Sequence, residues 1–341
     1  MNCGGKFHCQ RGAFCTYLRV FFLALPLVLS SRGAIARDVQ IDEWQVPYEN
    51  SRPRDPYVDG QGRVWFCGQV GGYLAYLVPG TAEFRKFALE RGVGPHNLII
   101  DDEGYVWFAA NTLPYIGKLD PETGNVEKFR MPDASVKDPH TLVFDSSGDI
   151  WFTVQWSNYI GKLTTSTGAV EIVKIPVERA RPYGIRVDPD DRPWIVLFGT
   201  NKLATVDPQT MRLQLVDLPR KSARPRRVEI TADGKVWYGD YGSGRLGRFD
   251  PRTKEFREWP MPGGDDARPY GTALDSDENI WIAEGGSPNR LVGFDTKAER
   301  FFGGIDIPNS RGAVRHMYFH PPTQEIWFGE DSNYIGRARL P

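Results

Sequence analysis

The side chains best suited to chemistry recur at two positions of a repeating pattern. At the start of each β-rich run, usually just after Pro, stand Tyr57, His96, His140, Tyr183, Arg226, Tyr270 and His316. Three or four residues past a recurring Trp stand Gln69, Asn111, Gln155, Phe198, Asp240, Glu284 and Glu330, with Asp331 adjacent. Neutral imidazole suits proton abstraction near neutral pH or metal ligation, and carboxylates hold Mg²⁺ or orient an imidazole. Asp138 lies two residues before His140. A blander reading asks of the first position only a flat polar residue that caps a strand, with the imidazoles inert.

These positions need elements that bring them together. The Trp recurs as Trp65, Trp107, Trp151, Trp194, Trp237, Trp281 and Trp327, at spacings of 42 to 46 residues. That is the period of four-stranded propeller blades. In the stretch Asp138–Leu163, the turn at Asp145-Ser-Ser-Gly148 leads into Ile150-Trp-Phe152, and Tyr159-Ile-Gly-Lys-Leu163 follows. The pattern predicts an all-β fold, a seven-bladed β-propeller over residues 37–341 as one domain. The last repeat has only three strands, and Val39–Val46 reads as the fourth, closing the ring. The start of each first strand and the end of each second strand then line one mouth of the channel. The Trp column reads as core, and the Gly of Ile-Gly-Lys/Arg as close strand packing. Arg52, Arg181, Arg224 and Arg268, each before Pro, read as solvated loop charges, with an anionic substrate as the other use. His320, before Pro321-Pro322, is placed on the opposite face without a role.

A formal net charge of −1 gives no argument for nucleic acid or for an anionic membrane surface. Residues 1–36 read as a cleaved export signal. Lys6, Arg11 and Arg19 precede the apolar run Val20–Leu29, and Ala34-Ile35-Ala36 is a small-x-small site. An uncleaved anchor is the alternative. Cys3, Cys9 and Cys15 fall in the leader, which leaves Cys67 and hence no internal disulfide after cleavage. The expected location is the periplasm or the exterior, as a monomer.

Pro-His/Tyr-x-Ile, Asp-x-x-Gly-x-(Ile/Val)-Trp-Phe and Asn-x-Ile-Gly-(Lys/Arg) together resemble the streptogramin B (virginiamycin B) lyase family, over all seven repeats. The resemblance implies a lyase that linearises a cyclic depsipeptide with Mg²⁺. A His base removes a proton α to a carbonyl, the ester's carboxylate oxygen leaves from the threonyl side, and the metal stabilises enolate-like charge. In the family's own blade register His316 falls at the base position and Asp331 at the acid after Trp-Phe. Tyr270 replaces the other His, and Val314 the acid before the base. Two blades further round, His96 and His140 lie in adjacent blades behind Asp138-Pro139, but Gln155 replaces the second acid.

The resulting expectation is an exported carbon–oxygen lyase acting on a cyclic ester or depsipeptide. His140 is its base, oriented by Asp138, with His96 and His316 as ligands or electrophiles. Glu330, Asp331 and Glu284 are the expected Mg²⁺ ligands. A non-enzymatic propeller binding a small molecule, cyclic peptide or partner at its mouth is the rival reading. A lactone hydrolase fits less well, since that family typically has six blades.

Overall fold

A computed structural model describes residues 39–340. The leader and its cleavage site lie outside the described residues. Seven antiparallel four-stranded sheets follow one another along the chain. Blade three is typical, running Pro139–Phe144, Ile150–Val154, Tyr159–Thr164 and Ala169–Lys174 from channel to rim. The seventh sheet takes Gln40–Gln45 as its outer strand, paired with Tyr334–Arg339 in the register Gln40↔Arg339. The chain ends thus close the ring as the orphan strand predicted.

Burial follows position in the blade. Second strands such as Val106–Ala110 and Ile150–Val154 are buried throughout, because both faces pack on neighbouring blades. Outer strands such as Val126–Arg130 alternate half-buried with exposed residues. The Trp column is core, as expected, and also bonds to its own turn. Trp65, Trp107, Trp151, Trp194 and Trp281 donate Nε1–H to the Asp six residues earlier, at 2.7–3.2 Å. The same Asp accepts amides of its turn, as Asp145 does from Ser147 and Asp149. Each such carboxylate therefore fixes both the hairpin and the buried indole.

Candidate functional site

The site is built by a bulge repeated around the ring. Pro53, Pro95, Pro139, Pro182, Pro225 and Val314 each pair with the third residue past their blade's Trp. Register then shifts over the next one to three residues. A bulge frees residues from the ladder and re-aims their side chains. In blade six the amide of Tyr270 bonds to Ala283 O, which gives Tyr270 the equivalent place.

This register corrects part of the sequence reading. One residue past this anchor around the ring stand Arg54, which still pairs with Cys67, and His96, His140, Tyr183, Arg226, Tyr270 and Arg315. Two residues past it stand Asp55, Asn97, Thr141, Gly184, Arg227 (back in the ladder opposite Gly239), Gly271 and His316. His316 is thus one step beyond the first tier, with Arg315 in its place, and Tyr57 is not in the tier at all. Asp240, Glu284 and Glu330 are corrected too. They sit opposite the Pro position, whereas Gln69, Asn111, Gln155 and Phe198 lie one residue further on. A one-residue slip turns a side chain to the other face. All three carboxylates are at most 2% exposed.

The first tier is a connected belt. Arg54 Nη2 lies 2.5 Å from His96 Nε2. A guanidinium cannot accept, so that nitrogen is the unprotonated acceptor. The His96 and His140 ring centroids lie 3.7 Å apart, tilted by 37°, and Tyr183 lies 4.2 Å from His140. Tyr183 Oη meets Tyr270 Oη at 2.5 Å, and Arg315 Nη1 donates to Tyr270 Oη at 3.2 Å. Arg226 stands 3.6 Å from the Tyr270 centroid, flanked by Phe198 and Tyr241 at 4.4 and 4.5 Å. In the second tier Asp55 lies 3.6 Å from Arg54 and from Arg227, and accepts from Asn97 at 3.0 Å.

Charge sets the protonation states. Burial, then the charges of Arg54 and His140, keep the His96 pKa well below the usual imidazole range. Burial, Arg227 and Arg54 do the same for His140. His316 is pushed down to about 3 by burial, against the pull of Asp55. Burial would raise the Asp55 carboxyl, but His316, Arg227, Arg54 and the Asn97 amide hold it down at about 2. Burial also opposes ionisation of Tyr183. Arg226, Arg227 and Arg54 outweigh it and bring that phenol down to about 8, while burial and then Tyr183 push its partner Tyr270 up.

His96, His140 and His316 therefore converge as expected, but as buried neutral groups at 4%, 1% and 8% exposure. Asp138 does not orient His140. Its carboxylate accepts the amides of Trp156 and Ser157, while Thr141 Oγ1 lies 2.8 Å from His140 Nδ1. Tyr270, at 4% exposure, is as buried as His96, but it lines a cleft. A cleft of about 380 Å³ is lined by Arg226, Tyr270 and Arg315, among others, and a second of about 570 Å³ shares Tyr241 and Arg268 with it.

The carboxylates expected to bind Mg²⁺ do not fit that ion. Glu284 accepts both Nε and Nη2 of Arg290, at 2.8 and 2.6 Å. Asp331 is held by Arg315, with Arg52 at 3.6 Å. Burial and the neighbouring Glu43 push Glu330 up to about 8, so it is largely protonated at neutral pH. No group of three or more His, Cys, Asp or Glu is arranged to hold a metal among the described residues. The first-tier cations are Arg54, Arg226 and Arg315, and guanidiniums repel a divalent cation.

Sequence reasoning missed Arg54, Arg227 and Arg315. A signal was present: Arg52-Pro53 matches the other Arg-Pro pairs and anchors blade one better than Pro56-Tyr57 does. Blade seven has no Pro at this point, and only its Trp spacing marks the register.

A profile of the virginiamycin B lyase family matches residues 29–289. The fold is similar to a virginiamycin B lyase from Staphylococcus aureus, with TM-score 0.80 and 20% identity over 89% of this chain and 100% of that one. It is equally similar to a streptogramin B lyase, with TM-score 0.80 and 23% identity over 89% and 98% of the two chains. An extracellular domain of a one-component system from B. thetaiotaomicron matches with TM-score 0.64 and 15% identity, over 87% of this chain and 40% of that one. No curated protein matches the sequence. Likeness at these identities shows the propeller, and the profile match across most of the ring places the chain in the virginiamycin B lyase family.

Proposed function

We propose that this chain is an exported carbon–oxygen lyase that opens a cyclic ester or depsipeptide by elimination, with the Tyr183–Tyr270 pair as proton acceptor. The observation that carries this reading is Tyr270 itself. It lines the cleft, bonds to Tyr183 and Arg315, and lies under Arg226. Family membership supports the reaction class. The phenol stands in for the imidazole that the family resemblance leads one to expect at this position.

In this mechanism the Tyr183 phenolate takes the hydroxyl proton of Tyr270, whose oxygen removes the proton α to a carbonyl. The C–H pair becomes the new carbon–carbon double bond. The β-carbon–oxygen bond breaks, and its electrons leave on the ester's carboxylate. Arg226 and Arg315 face the cleft where negative charge develops, the task a fixed cation performs best in a site poor in water. Atoms are conserved, so the product is open but unchanged in mass. No step uses a metal.

The burial of His96, His140 and His316 favours one rival reading, a binding propeller whose imidazoles fill the channel. Incubation of the mature protein with a streptogramin B, followed by chromatography and mass spectrometry, separates the two. A shifted peak of unchanged mass, formed equally with and without a chelator, is the expected result. A peak heavier by one water would mean hydrolysis. Loss of activity with chelator would restore the metal, and no turnover would favour the binding propeller.

A further inference from the structure

The two clefts beside Tyr270 carry more positive charge than elimination requires. The larger is lined by Arg179, Arg181, Arg224 and Arg268, against Asp265 and Asp266. Among the described residues Arg179, Arg181 and Arg268 make no ion pair, and the Arg224 guanidinium donates only to the carbonyls of Lys221 and Ala223. The chain as a whole is nearly neutral, so this is a local concentration of charge. Unpaired guanidiniums held together repel one another, an arrangement that a bound anion relieves.

Backbone geometry adds a second observation. Arg52, Arg181 and Arg268 precede Pro with φ of 50°, 51° and 46°, where blade two has Gly94 at 50°. The left-handed region disfavours a residue with a Cβ, yet three blades place Arg there and blade three Asp138, at 68°; of these Arg181 and Arg268 line the larger cleft. The walls are aromatic as well: Phe198 and Tyr241 line the larger cleft, and Arg181 lies 4.4 Å from the ring of Trp156, which is 64% exposed.

We infer that the double cleft binds a short acidic oligosaccharide, with carboxylates on successive sugars meeting the guanidiniums and sugar faces packing on Phe198 and Tyr241. Two connected lobes, each with its own arginines, suit an oligomer of charged units better than a single anion. Flat aromatic walls suit the apolar face of a sugar ring. The inference rests on the proposed lyase for where a ligand would react, but not for whether it binds.

Quenching of Trp156 fluorescence, checked by calorimetry, tests this with tetragalacturonate, its methyl ester and tetraglutamate. Tetragalacturonate should bind, and more weakly as salt rises. The neutral ester should bind at least about tenfold more weakly, as should tetragalacturonate to the Arg179→Gln/Arg268→Gln variant, since each loses charge-assisted hydrogen bonds. Both positions are exposed, and circular dichroism checks the fold of the variant. The inference falls if tetragalacturonate does not bind, if ester and acid bind alike, or if tetraglutamate binds tighter. Binding without streptogramin turnover would leave this inference standing and remove the depsipeptide reading; turnover without binding would do the reverse.

Discussion

At the mouth, one residue's place in the bulge decides what it can do. His140 and Tyr270 hold equivalent positions and are 1% and 4% exposed, yet only Tyr270 is placed on a cleft wall. Tyr270→Phe should lower kcat by at least about a hundredfold, the upper part of what a positioned acid or base contributes, and leave the melting temperature close to that of the parent. His140→Ala should instead act mainly on stability, by about 2–4 kcal/mol, because it empties a packed site. The reverse pattern would return the base to His140. The pH profile separates them again. A phenolate base requires activity to rise with pH through about 8, following Tyr183, whereas an imidazole held far below 6.5 would already be deprotonated and flat there. The columns were legible where Pro marks the bulge, in blades two to six. In blade one two prolines compete, and in blade seven Val314 replaces Pro, so local spacing put Tyr57 and His316 in a tier that pairing assigns to Arg54 and Arg315. The carboxylates of the second column were drawn in by their chemistry, one residue off the face that Gln69, Asn111, Gln155 and Phe198 share.

Within a blade, the third strand carries a glycine that sequence alone marked as close packing, and the reason is now visible. A Cβ on Gly161 would sit 2.1 Å from Phe152 Cζ, and one on Gly117 2.2 Å from Phe108 Cζ. In blades two, three, five and seven the aromatic after Trp lies across the third-strand glycine, where a Cβ would collide with it. Gly161→Ala should cost about 1–3 kcal/mol, the usual range for an overfilled core. Gly60→Ala, in open space, should change stability by less than about 0.5 kcal/mol. Chemical denaturation of both variants checks this, and equal stability would mean that Phe152 re-seats freely. The bond from Trp Nε1 to the turn Asp was not read from the sequence, although the six-residue spacing is there in five blades. In blade seven Pro321 stands six residues before Trp327, whose Nε1 has no partner.

Across the whole ring, closure and blade number were legible because they follow from repetition, a signal that survives wide sequence drift. The filling of the channel was not, since it depends on which side chains meet across blades far apart in sequence. That filling gives the molecule its acid sensitivity. His96, His140 and His316 are buried, and all three have depressed pKa values. In the unfolded chain each takes a proton near pH 6.5, while in the folded state it does not. Below that pH the unfolded state binds more protons, and stability falls as pH falls. Down to pH 5 His316 removes about 2 kcal/mol, at about 1.4 kcal/mol per unit, and His96 and His140 act in the same direction. The loss continues for His316 until its folded value near 3 is reached. Asp55 acts in a lower window. Its carboxyl is held at about 2, so its contribution is complete above the unfolded value near 4 and is lost between there and 2. Urea midpoints measured from pH 7 to pH 5 should therefore drop steeply, in a range where a carboxylate-stabilised protein would be nearly flat. A His316→Asn variant should show a shallower slope over that range, whatever its stability at pH 7. An unchanged slope would mean that the imidazole is already reached by solvent and protons in the folded state, and that the channel is open where the structure has it filled.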